Sequence, residues 1–460
     1  MSLIISQRVG GLRRKTRAPG PIRFRTTFRN CILDTLKRRG WKEVEDDSEC
    51  DLNWMDRDWI RERFDRVHLE PFQKVNHFRN HYELTRKDSM VKNLKRMKRQ
   101  LEKEGKVEEA AQFDFFPQTF VLPGEYLLYV EAFKKLGGIH VHRCKSNLKF
   151  EENAENTTNL ESGDVKGVWI MKPVGKSQGK GIFLVDKLSQ TAQWKHDNRF
   201  NPDGPQAETY VAQQYIHNPL LIGGRKFDIR LYVLVTSFNP LKVHMYRDGF
   251  ARFSVARYDT KNINNTFVHV TNVAIQKTAA DYDADTGGKM FLRPLKLYLI
   301  SKFGAERVNE LFCEIQLTIV RSLQAVQKTI INDKHCFELY GYDVMIDDNL
   351  KVWLIEVNAF PSLTANTKDD YNLKCAMLDD MLSIIDLEKR LNGNEDQVGS
   401  FDLIYSEGYV KFDRNCEYTS YLGCTTNRTR QLGKLFRSRG KERELAERKL
   451  KKSQGGGKKV

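Results

Sequence analysis

The sequence predicts a mixed α+β protein with more than one core. At 460 residues the chain exceeds what a single hydrophobic core usually organises, so two or three subdomains are expected. Segments with the two-residue alternation of strands are interspersed with segments of helical periodicity. Two local patterns sharpen this. "VWIMKPVGKSQGKGIFLV" reads as strand, glycine loop, strand, and "CFELYGYDVMIDDNLKVWLIEVN" reads as a hairpin,.

The elements follow in order. Residues 1–21 are Arg-rich, with Asp34 the first acid, and read as a disordered basic arm. From Ile22 the pattern is globular. "IRFRT" is a strand, "NCILDTLKRRG" a helix ending at Gly40, "WKEVE" a strand and "WMDRDWIRERF" a helix with its aromatics on one side. "LTRKDSMVKNLKRMKRQLEKEG" is a basic amphipathic helix with Met90, Leu94, Met97 and Leu101 on its apolar side and Gly105 as its stop,. Residues 22–136 thus form an N-terminal subdomain. Residues 137–166 are polar and aperiodic, an insertion or linker. "HVHRC" within them (His140, His142, Cys144) has metal-like residue types but sits in a polar stretch beside a glycine pair, which favours no metal there.

Residues 167–222 form a central subdomain and 223–392 a C-terminal one. Their strands are the glycine-loop pair, "TYVAQQYI", "KFDIRLYVLVTS" and "LKVHMYRDGFARFS"; a helix is expected over 306–331. The closing hairpin turns at Asp348-Asn349,. Order is expected to weaken after Leu391, leaving residues 393–460 as an extended basic tail dominated by Lys and Arg from Arg428. There are no internal repeats.

Composition bounds the partner. The net charge of +16 favours an acidic surface. No apolar run approaches the roughly 18 residues of a membrane span, and no signal-peptide core opens the chain. Eight cysteines without a C-x-x-C pair suit reduced thiols.

Three constellations carry chemistry. Alternation puts Val352, Leu354, Glu356 and Asn358 of "LKVWLIEVN" on one strand face, and a two-residue turn sets Asp343 across from Leu354, diagonal to Glu356. Asp343, Glu356 and Asn358 then present hard oxygens suited to Mg²⁺; structural ion pairs are the plainer alternative for either acid alone. "KPVGKSQGKGI" offers backbone N–H groups to phosphate oxygens, with Lys172 on the strand before it. In "RKFDIRLYVLV", Lys226, Asp228 and Arg230 share one face, and Phe227, Ile229 and Leu231 the other. Cations, a Mg²⁺-type hairpin and a glycine loop are the parts of a nucleoside triphosphate site.

"WIMKP…GKSQGKGIF", "GGRKFDIRLYVLV", "FVHVTNVAIQK", "GYDVMIDDNLKVWLIEVN" and "PSL", in that order, resemble the tubulin tyrosine ligase-like family over about residues 28–390. "NHYELTRKDSMVKN" and "FDLIYSEG…LGC" are similar to its polyglutamylase members. The resemblance implies an ATP-grasp ligase with N-terminal, central and C-terminal subdomains and ATP bound between the last two. It implies that Lys172, Gln178 and Gly179 grip phosphate and that Gln213, Gln214, Tyr215 and Ile216 line the adenine. Lys226, Phe227 and Asp228, with Thr271 and Asn272, complete the ATP site. Arg252 and Lys289 are implied to hold free glutamate and, with Glu356, to serve catalysis; Asp343, Glu356 and Asn358 are implied to hold Mg²⁺, two ions in all. Phe360 departs from the small residue common in relatives.

The implied reaction is ligation of glutamate to tubulin C-terminal tails through an acyl-phosphate. Implied partners are α- or β-tubulin on microtubules, free glutamate and accessory complex subunits, with no nucleic acid and no membrane. The implied location is cytoplasm and cytoskeleton, including the axoneme and basal body of cilia or flagella. Glycine or tyrosine ligation, a non-catalytic microtubule or ciliary scaffold, and nucleic-acid binding through the basic helix are the competing readings.

Overall fold

The computed structural model describes residues 20–137, 167–195, 208–285, 288–359, 361–410 and 419–455. The metal-like triplet at 140–144, Phe360, nearly all of the expected basic arm and of the polar insertion, and the last five residues lie outside the described residues. Among the described residues no helix is long and apolar enough to cross a membrane.

Three sheets organise the chain. The first has four parallel strands in the order Lys42–Glu43, Arg23–Thr26, Leu52–Trp54, Lys74–Val75. Its helix, Cys31–Arg38, is capped by Asn30, whose side chain accepts from the Ile32 N–H,. The second is antiparallel, ordered Thr119–Leu122, Tyr210–Gln214, Trp169–Pro173, Phe183–Val185. Phe120, Tyr129, Trp169 and Trp194 form its core with the helix Tyr126–Leu136. Residues 119–136 therefore build the central unit, not the N-terminal one to which the sequence reading gave them. Their apolar partners lie beyond the insertion and are invisible to local periodicity.

The third sheet has nine strands around Arg225–Phe238. Odd-numbered residues Phe227 to Val235 pack in one core with the helices Ala305–Gln327, Leu292–Phe303 and Lys87–Lys103. On the other face Tyr232 and Leu234 lie under the helix Lys368–Ile385 and the first sheet. Lys226, Asp228 and Arg230 extend that second face beyond its apolar part. The change from charged to apolar along one face marks where a cleft ends and a core begins.

Two expectations are corrected here. Residues beyond 392 are not simply an extended tail. Phe401–Ser406 pairs antiparallel with Leu241–Tyr246 and with Gln397–Val398, closing one edge of the nine-stranded sheet. Residues Arg428–Gly455 form one helix, seated by Leu432 against Leu391 and Val398 and by Arg428 on Asp379 and Asp380. A short strand of mixed polarity and a helix fixed by tertiary contacts leave little local signal.

The hairpin register is the second correction. Glu338–Ile346 and Val352–Asn358 pair with Ile346 opposite Val352 and Val344 opposite Leu354; Asp343 then faces Glu356 directly. The turn spans 347–351, and the Asp347 carboxylate accepts from the Asn349 and Lys351 N–H groups and the Trp353 indole. Ile355 is the extra residue of a β-bulge,. Val352, Leu354 and Val357 face the core, while the bulge turns Glu356 and Asn358 to the opposite face. The apolar strand thus never places its carboxylate in the core.

Candidate active site

A cleft of about 800 Å³, open to solvent at its mouth, lies between the second and third sheets. Lys172, Gln178, Gly179, Gln213, Gln214, Tyr215, Ile216, Lys226, Asp228, Arg252, Thr271, Asn272, Asp343 and Glu356 line it. Phe227, Lys289 and Asn358 do not. Phe227 points into the core on the opposite face of its strand. Asn358 stands beside the acids, its Nδ2 3.3 Å from Glu356 Oε1 and 3.5 Å from Asp343 Oδ2.

The glycine loop forms one wall of the cleft. Gln178 (φ +63°) and Gly179 (φ +76°) are left-handed, and a Cβ on Gly179 would lie 2.6 Å from Ile275 Cδ1. Glycine, free in the left-handed region and without a Cβ, lets this loop lie against the 272–275 turn with the Ile275 side chain undisturbed; the first residue of that turn, Asn272, accepts from the Ala274 N–H at 3.0 Å,. Behind the loop, Lys172 Nζ donates to Gln213 Oε1 at 2.7 Å. Lys226 Nζ donates to Tyr215 Oη at 3.0 Å and to the His269 carbonyl at 2.9 Å. Tyr215 Oη is 2.9 Å from His269 Nδ1, and His269 Nε2 is 3.0 Å from the Asn262 carbonyl. Tyr215 therefore donates to Nδ1 while Nε2–H donates to the backbone.

Among the described residues neither lysine has a carboxylate in hydrogen-bond contact. Burial, with Lys87 adding repulsion, brings the Lys172 ammonium down to about 8 against the pull of Glu356 and Asp343. Burial and Lys172 bring Lys226 down to about 7, against the pull of Asp228. Two crowded, desolvated ammonium groups are poised for a polyanion.

The acids are held differently. Arg230 donates Nε and Nη2 to the two oxygens of Asp343, and Arg252 Nη2 lies 2.8 Å from Asp343 Oδ2. Burial would raise the Asp343 carboxyl; Arg230 and Arg252 outweigh it and hold it well below the usual carboxylate range. Gly341 makes room for this fork, since a Cβ there would meet Pro361 Cβ at 2.8 Å and Arg230 Cδ at 3.4 Å. Arg252 also forks onto Asp228 through Nε and Nη2, which leaves Nη1 for the cleft. Lys289 pairs across the strands with Arg252, but its Nζ goes to Asp370 at 2.8 Å and over the Phe250 ring at 4.5 Å.

The residues present fit a hard divalent cation. Glu356 is partly open, and among the described residues Asp343 Oδ1 accepts one bond, from Arg230, so each keeps a lone pair for a metal. Asn358 now presents its NH₂ to both acids, and ligation through its oxygen requires an amide flip. Sequence reading missed Lys87, the first residue of the basic helix. Its Nζ donates to the Lys176 carbonyl at 3.1 Å and stands 3.9 Å from Glu356 Oε2. Lys176, Ser177 and Lys180 of the glycine loop and His269 also line the cleft. The "TRKD" opening was the available signal, masked by its solvated-looking charge run.

A glycine loop, buried ammonium groups and facing carboxylates thus meet in one cleft. Comparison of the chain with known families places it: it belongs to the tubulin-tyrosine ligase family, whose profile matches residues 66–392. It is 46% identical to "Probable tubulin polyglutamylase TTLL9" of Bos taurus over 93% of this chain and 95% of that protein. The Caenorhabditis elegans protein "Probable tubulin polyglutamylase ttll-9" is 44% identical over 83% of this chain and 84% of its own length. The Tetrahymena thermophila "Probable alpha-tubulin polyglutamylase Ttll1" is 41% identical, over 85% and 94% respectively.

Proposed function

We propose that this chain is a tubulin polyglutamylase, an ATP-grasp ligase that uses ATP and Mg²⁺ to join free glutamate to the γ-carboxylate of glutamates in tubulin C-terminal tails. The observation that carries the reading is the convergence of Lys172 and Lys226 with Asp343 and Glu356 in one cleft beneath a glycine loop. Family membership and the names of the relatives support it. Lys172, Lys226, Gln178 and Gly179 would hold the phosphates of ATP, Gln213 to Ile216 the base, and Thr271 and Asn272 the rest of the nucleotide. Asp343, Glu356 and Asn358 would hold Mg²⁺, which supplies neutralisation of the phosphates when bound.

The chemistry follows from the substrate. A carboxylate is a poor electrophile. Transfer of the terminal phosphoryl group of ATP to the tail carboxylate gives an acyl-phosphate and ADP. The amino group of free glutamate then attacks the acyl carbon, phosphate leaves, and an isopeptide bond forms. Lys172 and Lys226 hold charge on the phosphates, and Arg252 offers Nη1 to a carboxylate of the incoming amino acid. The basic surface suits the acidic tubulin tail. Cytoplasmic microtubules, axonemes and basal bodies are the proposed location, and accessory subunits are proposed partners. Mass spectrometry of tubulin tails after incubation with the purified protein, ATP and mixed amino acids tests the reading. Glutamate adducts are expected; glycine or tyrosine adducts alone, or none, overturn it.

Two further outcomes are expected. Nucleotide binding will take up protons at pH 8, because Lys226 and Lys172 are partly neutral there and bound phosphates favour their charged forms. The contribution of the two lysines to affinity is then full at about pH 6, where both are charged in either state, and falls as pH rises past the 7–8 range set by their free forms,. Calorimetry in buffers of different ionisation enthalpy reads this; a pH-independent affinity with no uptake contradicts it. The C-terminal residues are an electrostatic tether. Residues 443–460 hold seven Lys or Arg against two Glu. Truncation after Glu442, which spares the Arg428 and Leu432 anchors, will weaken microtubule co-sedimentation, more at low salt than at high salt, with nucleotide binding unchanged.

A further inference from the structure

We propose that His77, His81 and Glu338 form a transition-metal site, of a kind suited to Zn²⁺, at the seam between the first and third sheets. One ligating atom from each residue lies within 4.8 Å of the others, and all three are buried. Glu338 opens the strand that carries Asp343 five residues later. At a rise of about 3.3 Å per residue the cluster is roughly 16 Å from the cleft, so it is not part of the phosphate site.

The hydrogen bonds around the cluster fix the tautomers of its two histidines. The Asn76 amide is fixed by Met55, accepting its N–H and donating to its carbonyl, both at 2.9 Å. Asn76 Nδ2 is therefore a donor, and it lies 3.2 Å from His77 Nε2. His77 Nδ1 faces Glu338 Oε1 at 2.7 Å, and Glu338 Oε2 accepts from the Phe78 N–H at 3.0 Å. His81 Nδ1 is 3.0 Å from the Phe78 carbonyl and so donates there. That leaves the His81 Nε2 lone pair with no hydrogen bond among the described residues, on a side chain 6% exposed. A backbone carbonyl that takes one imidazole N–H and leaves the other nitrogen bare is the usual outer shell of a metal-bound histidine, and His81 has it; His77 is held in the opposite sense, its Nε2 accepting from Asn76 and its proton on Nδ1 toward Glu338,.

The charge points the same way. Glu338 is fully buried, and no lysine or arginine pairs with it among the described residues. A buried carboxylate without a permanent cation is costly, and a divalent ion supplies one. Two imidazoles and one carboxylate form a donor set that Zn²⁺ takes, with water completing four ligands. The ion takes the place of the proton on His77 Nδ1; that proton moves to Nε2, and the contact between Nε2 and the Asn76 amide opens,. For bonds of about 2.0 Å His77 Nδ1 and Glu338 Oε1 must separate to roughly 3.3 Å. A small cavity lined by Trp54, Asn76, His77 and Leu339 adjoins the His77 ring.

The position suggests what the ion does. Val75 N–H donates to the His335 carbonyl at 2.8 Å, and Phe337 N–H to the Val75 carbonyl at 3.1 Å. The metal would staple this backbone junction and fix the N-terminal unit on the strand that carries Asp343.

Full-length protein, produced with supplemented zinc and dialysed, is assayed for metal by mass spectrometry and for its melting temperature with and without added Zn²⁺. About one zinc per chain and a raised melting temperature are expected. His81→Phe keeps a ring in place, and Glu338→Gln keeps shape; each should lower zinc content at least tenfold and abolish the shift. Circular dichroism of both variants checks folding. If Glu338→Gln does not fold, the comparison rests on His81→Phe. Wild-type protein without zinc and without a melting shift, or a His81→Phe protein with wild-type zinc content, shows a hydrogen-bonded cluster only and overturns the proposal.

Discussion

Glu356→Gln will leave a folded protein that still binds microtubules and has lost glutamate ligation by several kcal/mol of barrier, on the order of 10³-fold in rate. The substitution is close to isosteric. Glu356 is 28% exposed at its side chain and its nearest cation, Lys87, is 3.9 Å away, so little native stability depends on its charge. Loss of the charge removes one of two carboxylates facing the proposed metal. Asp343→Asn is the poorer test. Asp343 is 2% exposed and holds Arg230 and Arg252; removing its charge would strand the buried Arg230 guanidinium and leave Arg252 with Asp228 alone, a cost of about 3–5 kcal/mol. Steady-state ligation and a thermal melt on the same Glu356→Gln preparation decide the matter. Near-wild-type ligation by a folded protein removes Glu356 from the metal site.

The legible parts of this site share one property: their information is local. The alternation of Lys226, Asp228 and Arg230 with Phe227, Ile229 and Leu231 shows one face charged and one apolar, and the structure keeps those faces. The glycine loop is equally local, since a left-handed residue against a packed turn leaves a glycine in the sequence. What was misread depends on distance. Alternation carried through Ile355 puts Glu356 on the core face, because a bulge has no signature in a two-residue pattern. Lys87 reads as one more cation on a solvated helix until that helix docks against the third sheet. Phe227 was drawn into the site by lying between two lining residues, although period two places it on the far face. Residues 119–136 and 401–406 find their sheets through partners far along the chain, and no window of local sequence contains both halves of such a pair.

Arg252 is the position where the structure changes the experiment. Arg252→Ala would leave Asp228 and part of Asp343 without a buried partner, and the resulting loss of stability, about 3–5 kcal/mol, would hide any effect on substrate. Arg252→Lys keeps the charge and loses the fork. The present side chain uses Nε and Nη2 for Asp228 and Asp343, leaving Nη1 toward the cleft. A lysine ammonium can satisfy the buried acids but cannot at the same time present a donor to a carboxylate of free glutamate. The lost charge-assisted hydrogen bond is worth about 1.5–3 kcal/mol. The KM for glutamate is therefore expected to rise about ten-fold to a hundred-fold, with nucleotide affinity within about two-fold of wild type. Lys289 offers the contrast. Its ammonium is committed to Asp370, which also holds Lys374 at 3.0 Å, so Lys289→Met should act through the placement of Asp370 and raise the glutamate KM less. Kinetics with glutamate varied at saturating ATP, beside nucleotide titrations, separate the two. If Arg252→Lys leaves the glutamate KM unchanged while the protein still ligates glutamate, the amino acid is held elsewhere in the cleft, and the free Nη1 serves only to shield the two acids from solvent.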